Sequence, residues 1–305
     1  MQIYLPIAEM SLNVALLLLM GFAIGFLSGM FGVGGGFILT PLLMFLGVPP
    51  AVAVGTSASQ VVAASVTSAV GHWRRNNVDV HMGLLLIGGG CVGSIAGVKA
   101  LAFLKARGQL DLFVTLTYVV LLGVVGGLML IESINTLRAA PAKAGVSMRR
   151  GGQHTWIEGL PLKTRFRHSR IYASTIPFVA IGAFIGLLTA IMGVGGGFLL
   201  VPAMIYLLRI PTRIVIGTST FQIVCVTAIT TVLQAALNHS VDVVLSVPLM
   251  VGSVVGAQFG VGFAERFRAE QLRALLAVIV VAVAVRMALG LVIKPSDLFS
   301  LEVPH

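Results

Sequence analysis

The chain has 305 residues, of which 57% are hydrophobic and 10% charged, and its mean hydropathy is +1.03. Soluble proteins carry about 25% charged residues, so this composition excludes an ordinary soluble domain and indicates a protein of the lipid bilayer. The net charge of +10 does not indicate a nucleic-acid partner, because Lys and Arg in a membrane protein chiefly record the orientation of its loops.

Ten apolar segments follow one another, five on each side of a polar, basic stretch. Those of the first half cover residues 12–31, 37–46, 51–72, 80–104 and 111–133. Those of the second half cover residues 176–192, 198–208, 213–237, 243–264 and 272–293. The second segment of each half spans only about 16 Å as a helix, too little for a hydrocarbon core of about 30 Å. We therefore predict a broken or re-entrant first helix pair in each half.

The two halves repeat one sequence pattern. The cluster Gly32-Val33-Gly34-Gly35-Gly36-Phe37 returns 161 residues later as Gly193-Val194-Gly195-Gly196-Gly197-Phe198. Later matches lie 162 residues apart for Gly55-Thr56-Ser57 and Gly217-Thr218-Ser219, and 163 apart for Asp79 and Asp242. So steady an offset indicates an ancestral duplication, which is common among transporters.

The distribution of positive charge predicts the topology. If each re-entrant pair returns to its starting side, fifteen of the twenty Lys and Arg residues fall on one face, which the positive-inside rule assigns to the cytoplasm. Each half then reverses the direction of the chain, so the repeats are inverted and both termini lie outside. We predict a first repeat over residues 1–134, a basic cytoplasmic loop over 135–173 and a second repeat over 174–305.

The glycine clusters are candidate anion sites. Each precedes a short helix, whose first amides and positive dipole end attract anions, and glycine lets a ligand approach the backbone closely. The candidate residues are Gly34, Gly35 and Gly36, with Gly195, Gly196 and Gly197. A purely structural role in tight helix crossing stays open. Nucleotide binding is disfavoured, because a phenylalanine stands where a third fingerprint glycine would be and no Lys-Ser/Thr pair follows.

A second repeated group carries hydroxyls and amides. It consists of Thr56, Ser57 and Gln60 in the first half, and of Thr218, Ser219 and Gln222 in the second. Spacings of three and four residues place each glutamine on one helix face with the hydroxyls. Neutral donors suit an anion that must also leave, although hydrogen bonds between helices are the alternative.

The remaining polar residues limit the chemistry. Asp79 and Asp242 precede apolar segments and are predicted helix N-caps, with proton coupling left open for them and for nearby histidines. Glycines spaced by four residues, such as Gly21, Gly25 and Gly29, predict close helix packing. No acidic residue lies in the middle of an apolar segment and no nucleophile and base pair is present, so we expect neither a cation pathway nor an enzyme, and no metal or cofactor.

These residues together resemble the sulfite exporter TauE/SafE family, also called the 4-toluene sulfonate uptake permeases. The resemblance rests on the glycine clusters with Phe37 and Pro41, on Gly55-Thr56-Ser57, and on the second copy ending in Gln222. It implies a secondary transporter of a small organic or sulfur-containing anion, of the sulfite or sulfonate class, that works by alternating access in the bacterial inner membrane. A passive anion channel is the alternative. The anion, the direction of transport, the coupling ion and the oligomeric state stay open.

Overall fold

The structure is a computed structural model that describes residues 2–31, 33–74, 76–138, 163–166, 171–206, 208, 210, 212–264 and 269–292. The first half begins with an antiparallel hairpin of strands β1 (Gln2–Leu5) and β2 (Met10–Asn13). Five helices follow: α1 (Val14–Phe31), α2 (Gly36–Phe45), α3 (Pro50–Arg74), α4 (Val80–Ala106) and α5 (Leu110–Arg138). The predicted all-α membrane fold is therefore confirmed for this half, with a short hairpin in front of it.

The second half repeats this order. A hairpin of β3 (Lys163–Phe166) and β4 (Ile171–Ser174) precedes α6 (Thr175–Met192), α7 (Gly197–Tyr206), α8 (Thr212–Leu233), a π-helical turn (Gln234–Asn238), α9 (Val243–Ala264) and α10 (Ala269–Val292). Each strand of the second hairpin lies 161 residues after its counterpart, as Lys163 does after Gln2. The repeated unit thus includes a hairpin within the stretch that the sequence suggested as loop, while residues 139–162 lie outside the described part of the chain.

Seven helices among the described residues are long and apolar enough to cross a membrane. They are α1, α4, α5, α6, α9, α10 and α8 with its π-helical turn. Helix α3 has 25 residues but is less apolar, because serines, threonines, Gln60 and His72 occupy it. Most of its polar side chains are buried in the protein, which fits a central helix shielded from lipid by its neighbours.

The predicted breaks in the first helix pairs are present. Helix α1 ends at Phe31 and α2 begins at Gly36, with φ +93° at Gly34 and +72° at Gly35. In the second half φ is +77° at Gly195 and +72° at Gly196, just before α7 begins. Residues that carry a side chain rarely adopt this left-handed backbone conformation, so glycine is required where the chain turns from one helix into the next. Helices α2 and α7 have ten residues each, too few to cross alone.

The long helices pack in pairs, and each pair joins a helix of the first half to a helix of the second half. Helix α1 packs along α9 and its counterpart α6 packs along α4, while α3 packs on α8 and α5 on α10. A Cβ placed on Gly21 would lie 2.5 Å from the Leu249 carbonyl oxygen, and one on Gly25 would clash with the Ser253 carbonyl. A Cβ on Gly182 would lie 2.5 Å from the Leu86 carbonyl oxygen. Close packing through spaced glycines is therefore confirmed, and the packing is symmetric under exchange of the halves.

The inverted orientation of the repeats stays a prediction and is tested by labelling from the two faces. In a chain whose two cysteines, Cys91 and Cys225, are replaced by alanine, Gln109→Cys is exposed between α4 and α5 and should react with an impermeant thiol reagent only from outside. Arg268→Cys, in the corresponding connection of the second half between α9 and α10, should react only from the cytoplasm. Reaction of both positions from the same face would contradict inverted repeats.

Candidate functional site

The two glycine breaks meet at the contact between the halves. A Cβ placed on Gly36 would lie 3.0 Å from the Val194 Cα atom, and one on Gly197 would lie 2.6 Å from the Val33 carbonyl oxygen. The buried rings of Phe37 and Phe198 stack beside them, with centroids 5.4 Å apart and an interplanar angle of 23°. The amino-terminal ends of α2 and α7 are thus brought together. Because each helix start carries a partial positive charge, this region is favourable for an anion.

Each break lies against a buried hydroxyl-bearing residue that the sequence prediction missed. A Cβ on Gly196 would lie 2.9 Å from the Thr189 Oγ1 atom, and one on Gly35 would lie 3.2 Å from the Ser28 Cβ atom. Ser28 and Thr189 are 2% and 0% exposed, and the Thr189 hydroxyl has no hydrogen-bond partner. Both stand seven residues before their glycine in sequence. The 161-residue offset that revealed the glycine clusters also relates these two residues.

The repeated glutamines lie on the central helices α3 and α8, each one residue before a side chain that contacts the breaks, Val61 or Ile223. Both are fully buried, and neither the amide nitrogen nor the amide oxygen of Gln60 or Gln222 has a hydrogen-bond partner. Val61, the residue after Gln60, is close to both breaks: its Cγ1 atom would lie 3.1 Å from a Cβ on Gly34 and 2.5 Å from one on Gly195. Leaving a buried amide unsatisfied costs about 1–3 kcal/mol, so two such groups at matching positions are candidates for contact with a ligand.

Three of the four predicted hydroxyls have partners in the backbone. The Thr56 hydroxyl accepts a hydrogen bond from the Asp242 amide at 3.2 Å, and the Thr218 hydroxyl accepts one from the Asp79 amide at 3.0 Å. The Ser219 hydroxyl donates to the Ile216 carbonyl at 2.9 Å. Both threonines therefore join one half to the other. The fourth predicted hydroxyl, that of Ser57, is buried and has no hydrogen-bond partner, as is the case for the amides of Gln60 and Gln222.

The predicted N-caps are confirmed. The Asp79 Oδ1 atom accepts from the Met82 amide at 3.2 Å, at the start of α4. The Asp242 Oδ1 atom accepts from the amides of Val244 and Leu245 at 3.0 and 3.1 Å, at the start of α9. The Asp242 Oδ2 atom also accepts from the Ile7 amide at 3.0 Å, which fixes the first hairpin to the second half. Both carboxylates are buried, so their hydrogen bonds are needed to offset desolvation.

Replacing Asp242 by asparagine should lower the stability of the folded protein. The oxygen of the introduced side-chain amide can still cap α9, but its NH₂ group would face the Ile7 amide, which is itself a donor and would lose its acceptor. We expect a loss of about 1–3 kcal/mol in the free energy of unfolding, measured by thermal unfolding in detergent. Asp111→Asn, at an exposed position in the first turn of α5, is the matched control. Equal melting temperatures for the two variants would refute the role of this bond.

The π-helical turn at the end of α8 was not foreseen. The Gln234 Nε2 atom donates to the Ala190 carbonyl at 3.0 Å, and its Oε1 atom accepts from Asn238 Nδ2 at 2.6 Å and from Ser240 Oγ at 3.3 Å. The Lys105 Nζ atom donates to the Asn238 carbonyl at 3.0 Å. One extra residue in this turn accounts for the change of the repeat offset from 162 to 163, and π-turns are frequent near functional sites.

The charges around the site are few. Among the residues whose side chains the structure describes, no Lys or Arg is buried, and Asp79 and Asp242 are the buried charged residues. The described part of the chain holds no group of three or more His, Cys, Asp or Glu residues suited to a metal ion. The donors available at the centre are therefore neutral: backbone amides, the two glutamine amides and hydroxyls.

Comparison with known proteins supports a transport role. A family model described as "Sulfite exporter TauE/SafE" matches residues 17–287. A probable membrane transporter protein of Xylella fastidiosa (strain 9a5c) is 29% identical over 271 residues, covering 88% of this chain and 90% of the relative. The probable membrane transporter protein YjnA of Bacillus subtilis (strain 168) is 27% identical over 277 residues, covering 89% and 98%. Sulfite exporter TauE/SafE family protein 3 of Arabidopsis thaliana is 28% identical over 122 residues, covering 39% of this chain and 26% of the relative. No solved structure matches.

Proposed function

Because this chain belongs to the sulfite exporter TauE/SafE family, we propose that it is a secondary transporter of a small organic or sulfur-containing anion, of the sulfite or sulfonate class. The family and the relatives are membrane transporters, and the seven apolar helices make the chain a multi-pass membrane protein of bacterial type. Beyond membrane transport itself, we propose the class of substrate, the binding site and the alternating-access mechanism.

The observation that carries the proposal is the pair of buried amides without partners, Gln60 and Gln222. Each Nε2 group can donate two hydrogen bonds to the oxygens of a sulfite or sulfonate, and hydrogen bonds to a charged acceptor are stronger than neutral ones. The first amides of α2 and α7 supply further donors, and the paired hydroxyl-bearing residues Ser28 and Thr189 lie beside them. A site of neutral donors holds an anion without the strong attraction of a buried Lys or Arg, which favours release.

The symmetric packing supports alternating access. In alternating access, one group of helices rocks against another, and the inward-open and outward-open states use two related sets of helix contacts. The pairs α1 with α9 and α6 with α4 form two such related sets. The central amides are fully buried, so the structure has no open water path through Gln60 and Gln222. A carrier passes through a state in which the central site is closed to both sides of the membrane, whereas an open channel has a continuous water path.

A proteoliposome assay tests the proposed function. Purified protein should take up or exchange labelled sulfite or a small sulfonate faster than matched carboxylates, with saturation and with counterflow of preloaded anion. Comparing uptake with and without a proton gradient identifies proton coupling. Flux that neither saturates nor shows counterflow would support the channel alternative, and no flux of any of these anions would refute the substrate class.

A further inference from the structure

Three serines of helix α3 carry hydroxyls without hydrogen-bond partners. Ser57, Ser65 and Ser68 are 0%, 1% and 1% exposed, and none of their Oγ atoms has a partner. Ser57 and Ser68 are eleven residues apart, which is three helical turns or about 16 Å along one helix face. Ser65 is one turn from Ser68. The three hydroxyls therefore extend from the level of Gln60 toward the end of α3 at Arg74.

The matching positions of α8 are different. Ser219, Thr227 and Thr230 occupy them, and each donates to a carbonyl of its own helix, at 2.9, 2.6 and 2.7 Å. Thr230 also shares a hydrogen bond with Ser94. In all three repeat-related pairs, the hydroxyl of the second half has a partner and the hydroxyl of the first half has none.

The difference does not arise from α3 being unable to satisfy its hydroxyls. Ser59, in the same helix, donates to the Thr56 carbonyl at 2.6 Å and contacts Ser246 Oγ at 2.6 Å. Thr67 donates to the Ala63 carbonyl at 3.4 Å. A Ser hydroxyl in a helix normally has such a carbonyl within reach, so a row of three that stays unpaired in the protein interior is suited to an external acceptor.

We propose that Ser65 and Ser68 form a second binding position for the transported oxyanion, between the central site at Gln60 and the end of α3. The proposal rests on the proposed function. An anion that leaves a dry central site loses the hydrogen-bond donors of that site and needs others along the exit path. Neutral hydroxyls can donate to the anion without binding it as strongly as a charged side chain would. Arg74, at the end of α3, is exposed on the side that the charge distribution assigns to the cytoplasm.

Thiol reactivity tests the position directly. Ser68→Cys and, as the matched control, Thr230→Cys are made in the chain with Cys91→Ala and Cys225→Ala. Ser68→Cys is treated from the cytoplasmic side and Thr230→Cys from the outside, the face toward which each helix end runs in the predicted topology. The reagents are 2-sulfonatoethyl methanethiosulfonate, itself a small sulfonate anion, and the cationic 2-(trimethylammonium)ethyl reagent, and each rate is divided by that of a free thiol in solution. We expect Ser68→Cys to react with the anionic reagent at least tenfold faster than Thr230→Cys, and faster than with the cationic reagent. Equal normalised rates for the two reagents indicate a path for water alone and would overturn the proposal, as would an unreactive Ser68→Cys.

Transport kinetics give a second readout. The double variant Ser65→Ala with Ser68→Ala should lower turnover about tenfold while substrate affinity at the central site changes less than twofold. Thr227→Val with Thr230→Val, which removes hydroxyls that already have partners, should leave turnover within about twofold of the wild type per folded molecule. Wild-type turnover in the serine variant would overturn the proposal. Anion-selective labelling without any sulfite or sulfonate flux would refute the proposed function alone, and flux without selective labelling would refute the second position alone.

Discussion

Valine at Gly35 or Gly196 is expected to abolish transport. Both glycines have φ +72°, a conformation that costs a residue with a side chain about 1–2 kcal/mol, and more when the side chain is β-branched. A Cβ on Gly35 would lie 2.8 Å from Ile24 Cγ2, and a Cβ on Gly196 would lie 2.9 Å from Thr189 Oγ1 and clash with Ile185. The branched side chain would also cover the amides at the start of α2 or α7, so a ligand would lose close approach to the backbone.

Measurement of uptake per folded molecule separates loss of function from loss of folding. The milder Gly35→Ala and Gly196→Ala variants should retain more folded protein and still transport at less than a tenth of the wild-type rate. Gly88→Val is the matched control, because this glycine of α4 has open space at its Cβ position and no positive φ. Wild-type uptake by the alanine variants would show that these glycines serve packing alone.

Leucine at Gln60 or Gln222 should weaken substrate binding by roughly ten- to over a hundredfold. Leucine keeps the size of the side chain but removes a donor from a buried site, and a hydrogen bond to a charged acceptor is worth about 1.5–3 kcal/mol. The amides have no protein partner to lose, so folding should be unaffected or slightly favoured. Binding measured by calorimetry or by protection against thermal unfolding, together with the melting temperature without substrate, gives both quantities.

Two further glutamines serve as controls for this prediction. Gln258→Leu, at an exposed position of α9, should change neither affinity nor stability. Gln234→Leu removes an amide with protein partners and should lower the melting temperature while affinity per folded molecule stays nearly unchanged. Gln222→Glu should be worse than Gln222→Leu at neutral pH, because a carboxylate repels the anion, and its defect should ease as the pH falls and the carboxyl is protonated. Unchanged affinity in Gln60→Leu, Gln222→Leu and Gln222→Glu would remove both residues from the site.

The sequence predicted the features that depend on local patterns. Hydropathy indicated the helices, the glycine runs indicated the breaks after α1 and α6, and an aspartate before an apolar segment indicated each cap at Asp79 and Asp242. Each of these is determined by a few neighbouring residues and the solvent around them. The repeat then strengthened the interpretation, because a pattern found twice at one offset is rarely accidental.

Features that depend on distant contacts were not predictable. The pairing of α1 with α9 joins residues more than 200 positions apart, and no periodicity in either helix specifies that partner. Ser28 and Thr189 stand in apolar helices like any other small polar residue, and only the broken chain beside them gives them a role. The change of the repeat offset from 162 to 163 indicated one extra residue before Asp242, but a loop would have accommodated it as well as the π-helical turn does.

The exchange of helices between the halves has a consequence for how the protein is made. The glycine face of α1 (Gly21, Gly25 and Gly29) fits against α9, which begins only at residue 243. During synthesis at about 5–20 residues per second, this first helix must wait more than ten seconds in the membrane before its partner is inserted. A nascent chain therefore holds an unfilled groove for most of its translation, and a truncated chain that ends before α9 never fills it. We expect membrane quality-control proteases to recognise such fragments by this groove.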